Sequence, residues 1–327
     1  MNDLLLANIR KSLKLLNTGD IRLSLLPDDC TWRPIVRNTP EGIVCPQADY
    51  FGFYALRNAF RGVLLGANYL ASGQAILVQS LYGPAVTLFY TASFHALHSF
   101  LALNGRVVIE LTPTKKGHAE DIGDMVIAIL NKKNQWIFEP RKRSHVGRWL
   151  ELESIFAPRK YEIPAYFKDL FDYFFTGRGH YKCKVPLKEY VRRTSKGEKI
   201  SPGTPYEVRD KLKEFLRMVA ETRHIAMYES FGSDPVVVEG LINRDIFSTR
   251  GIDRQANQFE RFATTFFQDI TERLNWLIEQ IEIEKDVRSW LFVSVYTQPF
   301  DEPEYDILYP ENLASDLKSL HDWLEVK

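Results

Sequence analysis

Arg217, His224 and Tyr228 fall within a stripe about 40° wide when residues 205–229 are wound at 100° per residue. Arg217 and His224 are seven residues apart, two helical turns, so both leave the same side of a helix. A guanidinium fork can hold a phosphate, and an imidazole donates or accepts a proton near neutrality. Together they are the least equipment that RNA cleavage without a metal requires: a cation for the phosphate and a general acid or base for the ribose hydroxyl or the leaving oxygen. The spacing names Arg217, His224 and Tyr228 as catalytic candidates. A solvated face bearing Lys213, Arg217, Glu221 and His224 is the plain alternative. Arg223 falls with Leu212, Phe215, Val219 and Ala226 on the apolar side, where a guanidinium needs a carboxylate, phosphate or carbonyl partner. It is a candidate for nucleotide or RNA binding.

A second polar strip lies on the segment that begins at Pro84. Thr87, Thr91, His95 and His98 line up there, while Val86, Phe89, Tyr90, Phe94, Leu97, Phe100 and Leu101 cover most of the remaining circumference. An apolar helix of that kind is a central one, and its polar groups need partners. His95 and His98 are therefore either satisfied by neighbouring helices or part of a site that contacts RNA or a nucleotide. Two histidines at i and i+3 do not make a zinc site without a third ligand; His118 is the one obvious candidate, and no metal or other cofactor is expected.

The elements that must carry these groups are helical. Residues 1–19 repeat Leu5, Ile9, Leu13 and Leu16 on one face. Residues 54–81 and 84–103 are two long helices, with Pro84 at a first helical position and Asn104-Gly105 closing the second. Further helices are expected at 121–130, 164–175, 205–229, 252–283 and 311–324. The sequence 106–113 is a short strand candidate, and residues 20–50, with four prolines, read as irregular chain with at most short strands. The fold class is mainly α: a helical bundle with a loop-rich basic insertion and at most a few short strands. The domain reading is an N-terminal helix and irregular arm at 1–53, a bundle from 54–104 and 205–283, the insertion at 105–204, and an acidic segment with a final helix at 284–327.

Net charge is zero, which excludes a uniformly basic polyanion binder, but the charge is unevenly placed. Residues 131–200 carry 17 Lys/Arg against 8 Asp/Glu, and residues 280–327 carry 4 against 11. The basic stretch, with Lys142 and Arg143 as binding candidates, is interleaved with Trp136, Phe138, Trp149, Tyr161, Tyr181 and Tyr190, a composition suited to stacking on single-stranded RNA. Three scattered cysteines without a CxxC argue against a disulfide framework. The amino terminus lacks the pattern of a signal peptide, and residues 63–81 carry too many polar residues for a membrane span. A cytoplasmic protein without membrane attachment is expected. Walker, dinucleotide-type, HExxH and GxSxG motifs are absent from the sequence.

Ala67-Asn-Tyr-Leu-Ala-Ser-Gly-Gln-Ala-Ile-Leu, Gly83-Pro-Ala85 and Phe89-Tyr-Thr-Ala-Ser-Phe-His-Ala-Leu97 resemble the opening helix pair of the HEPN superfamily. Arg223-His-Ile-Ala-Met-Tyr228 looks like that superfamily's late-helix signature. The resemblance covers residues 54–104 and 205–283. It implies a compact helical bundle, a homodimer, and RNA or nucleotide binding, in many members with metal-independent endoribonuclease activity in toxin–antitoxin or antiviral defence. Two registers are open: Arg217 with His224 leaves six residues between them but puts Met218 after the arginine, whereas Arg223-His224 puts Tyr228 at the later histidine position. The alternative function is a non-catalytic helical scaffold or regulatory subunit that binds a protein partner encoded nearby.

Overall fold

The computed structural model describes residues 3–17, 37–39, 42–45, 48–110, 125–141, 144–158, 161–175, 196–197, 208–209, 211–224, 249–281, 318–320 and 322. These form helices α1 (Asp3–Asn17), α2 (Phe51–Val78), α3 (Tyr82–Leu103), α4 (His145–Phe156), α5 (Ala165–Phe175), α6 (Leu212–His224) and α7 (Thr249–Glu279). Strands are β1 (Arg37–Thr39), β2 (Gly42–Val44), β3 (Arg106–Glu110), β4 (Met125–Leu130) and β5 (Trp136–Arg141). They make one antiparallel sheet in the order β1-β2-β5-β4-β3. The fold is mainly α. The expected helix at 311–324 lies largely outside the described residues.

The chain divides into two compact units. The first comprises Met1–Asn68, Phe94–Gly147 and Phe267–Lys327; the second comprises Tyr69–Ser93 and Arg148–Phe266. The division falls inside α2, α3, α4 and α7.

In the first unit, α1 buries Leu5, Ile9 and Leu13, the face its periodicity marks. Phe51, at the start of α2, packs edge-on against Tyr54 and Phe138 and tilts against Trp136. Asn8 ties α1 to the sheet: its side-chain oxygen accepts the Trp136 indole N–H at 2.8 Å. A Cβ at Gly52 would lie 2.4 Å from the Asn8 carbonyl oxygen, so only glycine lets α2 begin flush against α1. Gly62 plays the same part between α2 and α3. Ser99 donates its hydroxyl to the Ala59 carbonyl at 2.7 Å, and a Cβ at Gly62 would meet Ser99 Oγ at 2.1 Å.

The second unit is held by rings. Tyr166, Phe167, Phe171 and Phe174 of α5 are buried with Phe215 of α6 and Phe259, Phe262 and Phe266 of α7. Phe167 meets Phe215, Phe262 and Phe266 edge-on, and Phe174 meets Phe259 in the same way. Such pairs add about 0.5–1.5 kcal/mol each beyond the area they bury.

Three expectations are corrected. The helix expected at 121–130 is strand β4 over Met125–Leu130, paired along its length with β3 and β5. Met-Val-Ile-Ala-Ile-Leu is an apolar run without helical periodicity, and Asn131 supplies the turn that follows. Its side-chain oxygen accepts the Lys133 and Gln135 N–H groups, and Asn134 takes a positive φ of 59°. Residues 145–156, read as loop, form α4, whose first turn is capped by Ser144 accepting the Gly147 N–H at 2.8 Å. The helix expected from Pro205 begins at Leu212. Residues 208–209 are in a turn, where the Arg209 guanidinium donates to the carbonyls of Phe156 and Tyr161.

Gly62→Ala is expected to destabilise the protein by about 2 kcal/mol through overpacking of α2 against α3. Thermal unfolding followed by circular dichroism checks it, and an unchanged melting temperature would show that the two helices part at no cost.

Candidate functional site

Helix α6 is built as its apolar periodicity requires. Leu212, Phe215, Leu216, Val219 and Ala220 are buried, and Lys213, Arg217 and Glu221 are exposed. Arg217 thus stands on the solvated side and makes no hydrogen bond or ion pair with another described residue. Lys211, just before the helix, pairs with Glu214, the acidic residue of the first turn, at 2.9 Å. His224 is the last residue of α6, and its Cα continues the Arg217 stripe two turns further on. The side chains of Arg223 and His224 lie outside the described residues, as do Tyr228, Lys142 and Arg143 altogether.

The clamp that starts α6 is Arg209. Besides Phe156 and Tyr161, its guanidinium reaches the carbonyls of Ala157 at 3.3 Å and Pro158 at 3.4 Å. Those carbonyls follow the last turn of α4, where helical acceptors lack partners and a cation is favoured. Arg209 is therefore committed to the fold, and Arg217 is the arginine of α6 whose side chain is described and exposed.

His95 and His98 lie in the first unit, on α3, both half-buried. They do not stand alone. Phe94 stacks on His145 with ring centroids 4.2 Å apart and tilts against His98 at 4.8 Å. His95 and His98 face one another edge-on at 6.4 Å. Three imidazoles thus gather around one phenyl ring. Among the described residues no group of three His, Cys, Asp or Glu side chains is arranged to hold a metal ion. His118 is outside the described residues. His145 was missed by sequence reasoning. The signal that could have found it is the Ser144 cap followed by Val146, Trp149, Leu152 and Ile155 at helical spacing.

One carboxyl in the second unit has its ionisation altered. Burial raises the Glu260 pKa above the ordinary 4.5, and the Gln74 amide, which donates to it at 3.3 Å, opposes the shift. The Gln74 carbonyl oxygen is buried and has no hydrogen-bond partner among the described residues.

Comparison with family models, with curated proteins and with solved structures finds no match to this chain.

Two outcomes follow from this geometry. Arg209→Lys keeps the charge but loses the fork, and is expected to lower stability by about 1–2 kcal/mol in a denaturant titration; an unchanged midpoint would remove the clamp. For Glu260, a raised folded pKa means that the folded state binds its proton more tightly than the unfolded state. The stability this group supplies is complete below about pH 4.5 and is lost as pH rises through the raised value. Glu260→Gln is expected to melt higher than the parent near pH 7 and to lose that advantage below about pH 4.5. Parallel melting curves at all pH values would contradict this.

Proposed function

We propose that this chain is an RNA- or nucleotide-binding helical protein of the HEPN kind, with the solvated stripe of α6 as its phosphate contact. The observation that carries the reading is Arg217: exposed, in register with the His224 Cα on one helix, and without a hydrogen bond or ion pair to another described residue. A guanidinium presented in this way gives up no partner among the described residues when it meets a phosphate. In this reading Arg217 holds the phosphate and His224 exchanges the proton, so that cleavage, where it occurs, needs no metal. Arg223, Tyr228, Lys142 and Arg143, with His95 and His98, are further candidates for contacting the nucleotide. The reading extends to a homodimer acting in the cytoplasm within a toxin–antitoxin or antiviral system, an extension that follows from the resemblance alone.

The test is binding and cleavage of labelled single-stranded RNA in EDTA. Binding is expected to weaken steeply with salt, as phosphate contacts do, and Arg217→Ala is expected to weaken it about tenfold, or ~1.4 kcal/mol. Any cleavage is expected to fall by a factor of about 10² or more in His224→Ala, the usual share of a general acid or base. Binding that ignores salt would overturn the reading. Cleavage that survives in the Arg217→Ala, His224→Ala double variant would remove this site.

A further inference from the structure

The carboxyl-terminal half of α7, in the first unit, carries a hollow of about 490 Å³ that the α6 stripe does not explain. Among the described residues it is lined by Asp269, Glu272, Arg273 and Trp276. These positions are i, i+3, i+4 and i+7, so they stand on one side of the helix. Arg273 is fixed in place: its Nε donates to Asp269 at 2.8 Å, and its guanidinium carbon lies over the Phe100 ring at 5.4 Å. Asp269 is therefore consumed by an internal ion pair. Glu272 is exposed and has no hydrogen bond or ion pair with another described residue, and Trp276 is 40% exposed, an unusual setting for an indole. The volume falls within the range of small-ligand sites.

We propose that this hollow binds a guanine base, stacked on Trp276 and read by Glu272. An exposed indole is a platform for any base. The carboxylate makes the selection. An ionised carboxyl only accepts hydrogen bonds, and guanine alone among the four common RNA bases presents two adjacent donors, N1–H and the N2 amino group, on its Watson–Crick edge. Adenine and cytosine each place a ring-nitrogen acceptor beside their amino group, and uracil flanks one donor with two acceptors. Guanine O6, beside N1–H, is an acceptor that the N–H groups of neighbouring Arg273 suit. A basic peptide side chain is the competing guest for a tryptophan and a carboxylate. The titration below, with an arginine-rich peptide as competitor, separates the two guests. The inference rests on the nucleotide reading above but uses a different part of the chain.

The test is isothermal titration of the full chain with GMP, AMP, CMP and UMP. GMP is expected to bind at least tenfold more tightly than the other three. Trp276→Ala and Glu272→Gln are each expected to weaken GMP at least tenfold. Glu272→Gln replaces one acceptor with an opposing donor, so it is also expected to erase the preference over AMP. Both positions are exposed, and a melting temperature within a few degrees of the parent shows that the variants fold. Adding an oligoadenylate with one central guanosine separates a base read within RNA from a free nucleotide. Equal binding of the four nucleotides, GMP binding that survives Trp276→Ala, or capture of an arginine-rich peptide in preference to GMP each overturns the proposal. GMP recognition without any RNA binding would end the α6 reading and leave this one standing. Arg217-dependent RNA binding without GMP recognition would do the reverse.

Discussion

A carboxamide taken out of water at Asn8 must find partners for its polar atoms inside the protein. It finds them on the strand hairpin: the indole of Trp136 donates to its oxygen, and its nitrogen reaches the Asn134 side chain at 3.4 Å. One turn later Ser12 donates both to the Asn8 carbonyl and to the carbonyl of Asp49. An apolar residue at position 8 would let α1 slide or rotate along the core at small cost. The amide allows one register, and Gly52 makes that register close enough to matter. Between Asn8 and Ser12 on the same helix, Arg10 donates twice to the Gln280 carbonyl, just past the end of α7. The helix that carries the hollow thus has its carboxyl end held by the helix that the sheet fixes.

Much of this was legible in the sequence because helical periodicity is a local signal. The leucine and isoleucine spacing gave α1, Gly83-Pro84 marked the change from α2 to α3 to within a few residues, since α2 ends at Val78 and α3 begins at Tyr82, and the order of apolar positions gave the buried face of α6. What was illegible was set by neighbours. The run at 125–130 has no period to distinguish a buried strand from a buried helix, and only pairing with β3 and β5 decides it. Arg209 carries no mark that it belongs to the end of α4, since the carbonyls it takes are about fifty residues away. His145 joins Phe94 and His98 through packing between elements that the sequence could not bring together. For the α6 stripe, the arithmetic gave the exposed side of Arg217. The hollow on α7 escaped notice because its residues, read singly, look like an ordinary charged helix face.

The membrane question moves rather than closes. Sequence reading raised it for residues 63–81. Among the described residues the helix long and apolar enough to cross a bilayer is α3, and 72% of its most apolar window is buried inside the protein. Buried core helices pass the same test of length and composition. The polar strip that runs along α3 is partly internally satisfied, with Thr87 donating to the Gly83 carbonyl at 3.4 Å and Thr91 to that of Thr87 at 2.8 Å.

The half-buried carboxyl of Glu260 also makes folding a proton-consuming reaction in mildly acidic solution. Between the two ionisation ranges the unfolded chain has already released a proton that the native chain retains. Heat measured on unfolding there includes the buffer's own heat of protonation. Enthalpies taken in buffers of different ionisation heat should therefore disagree, and by the number of protons exchanged.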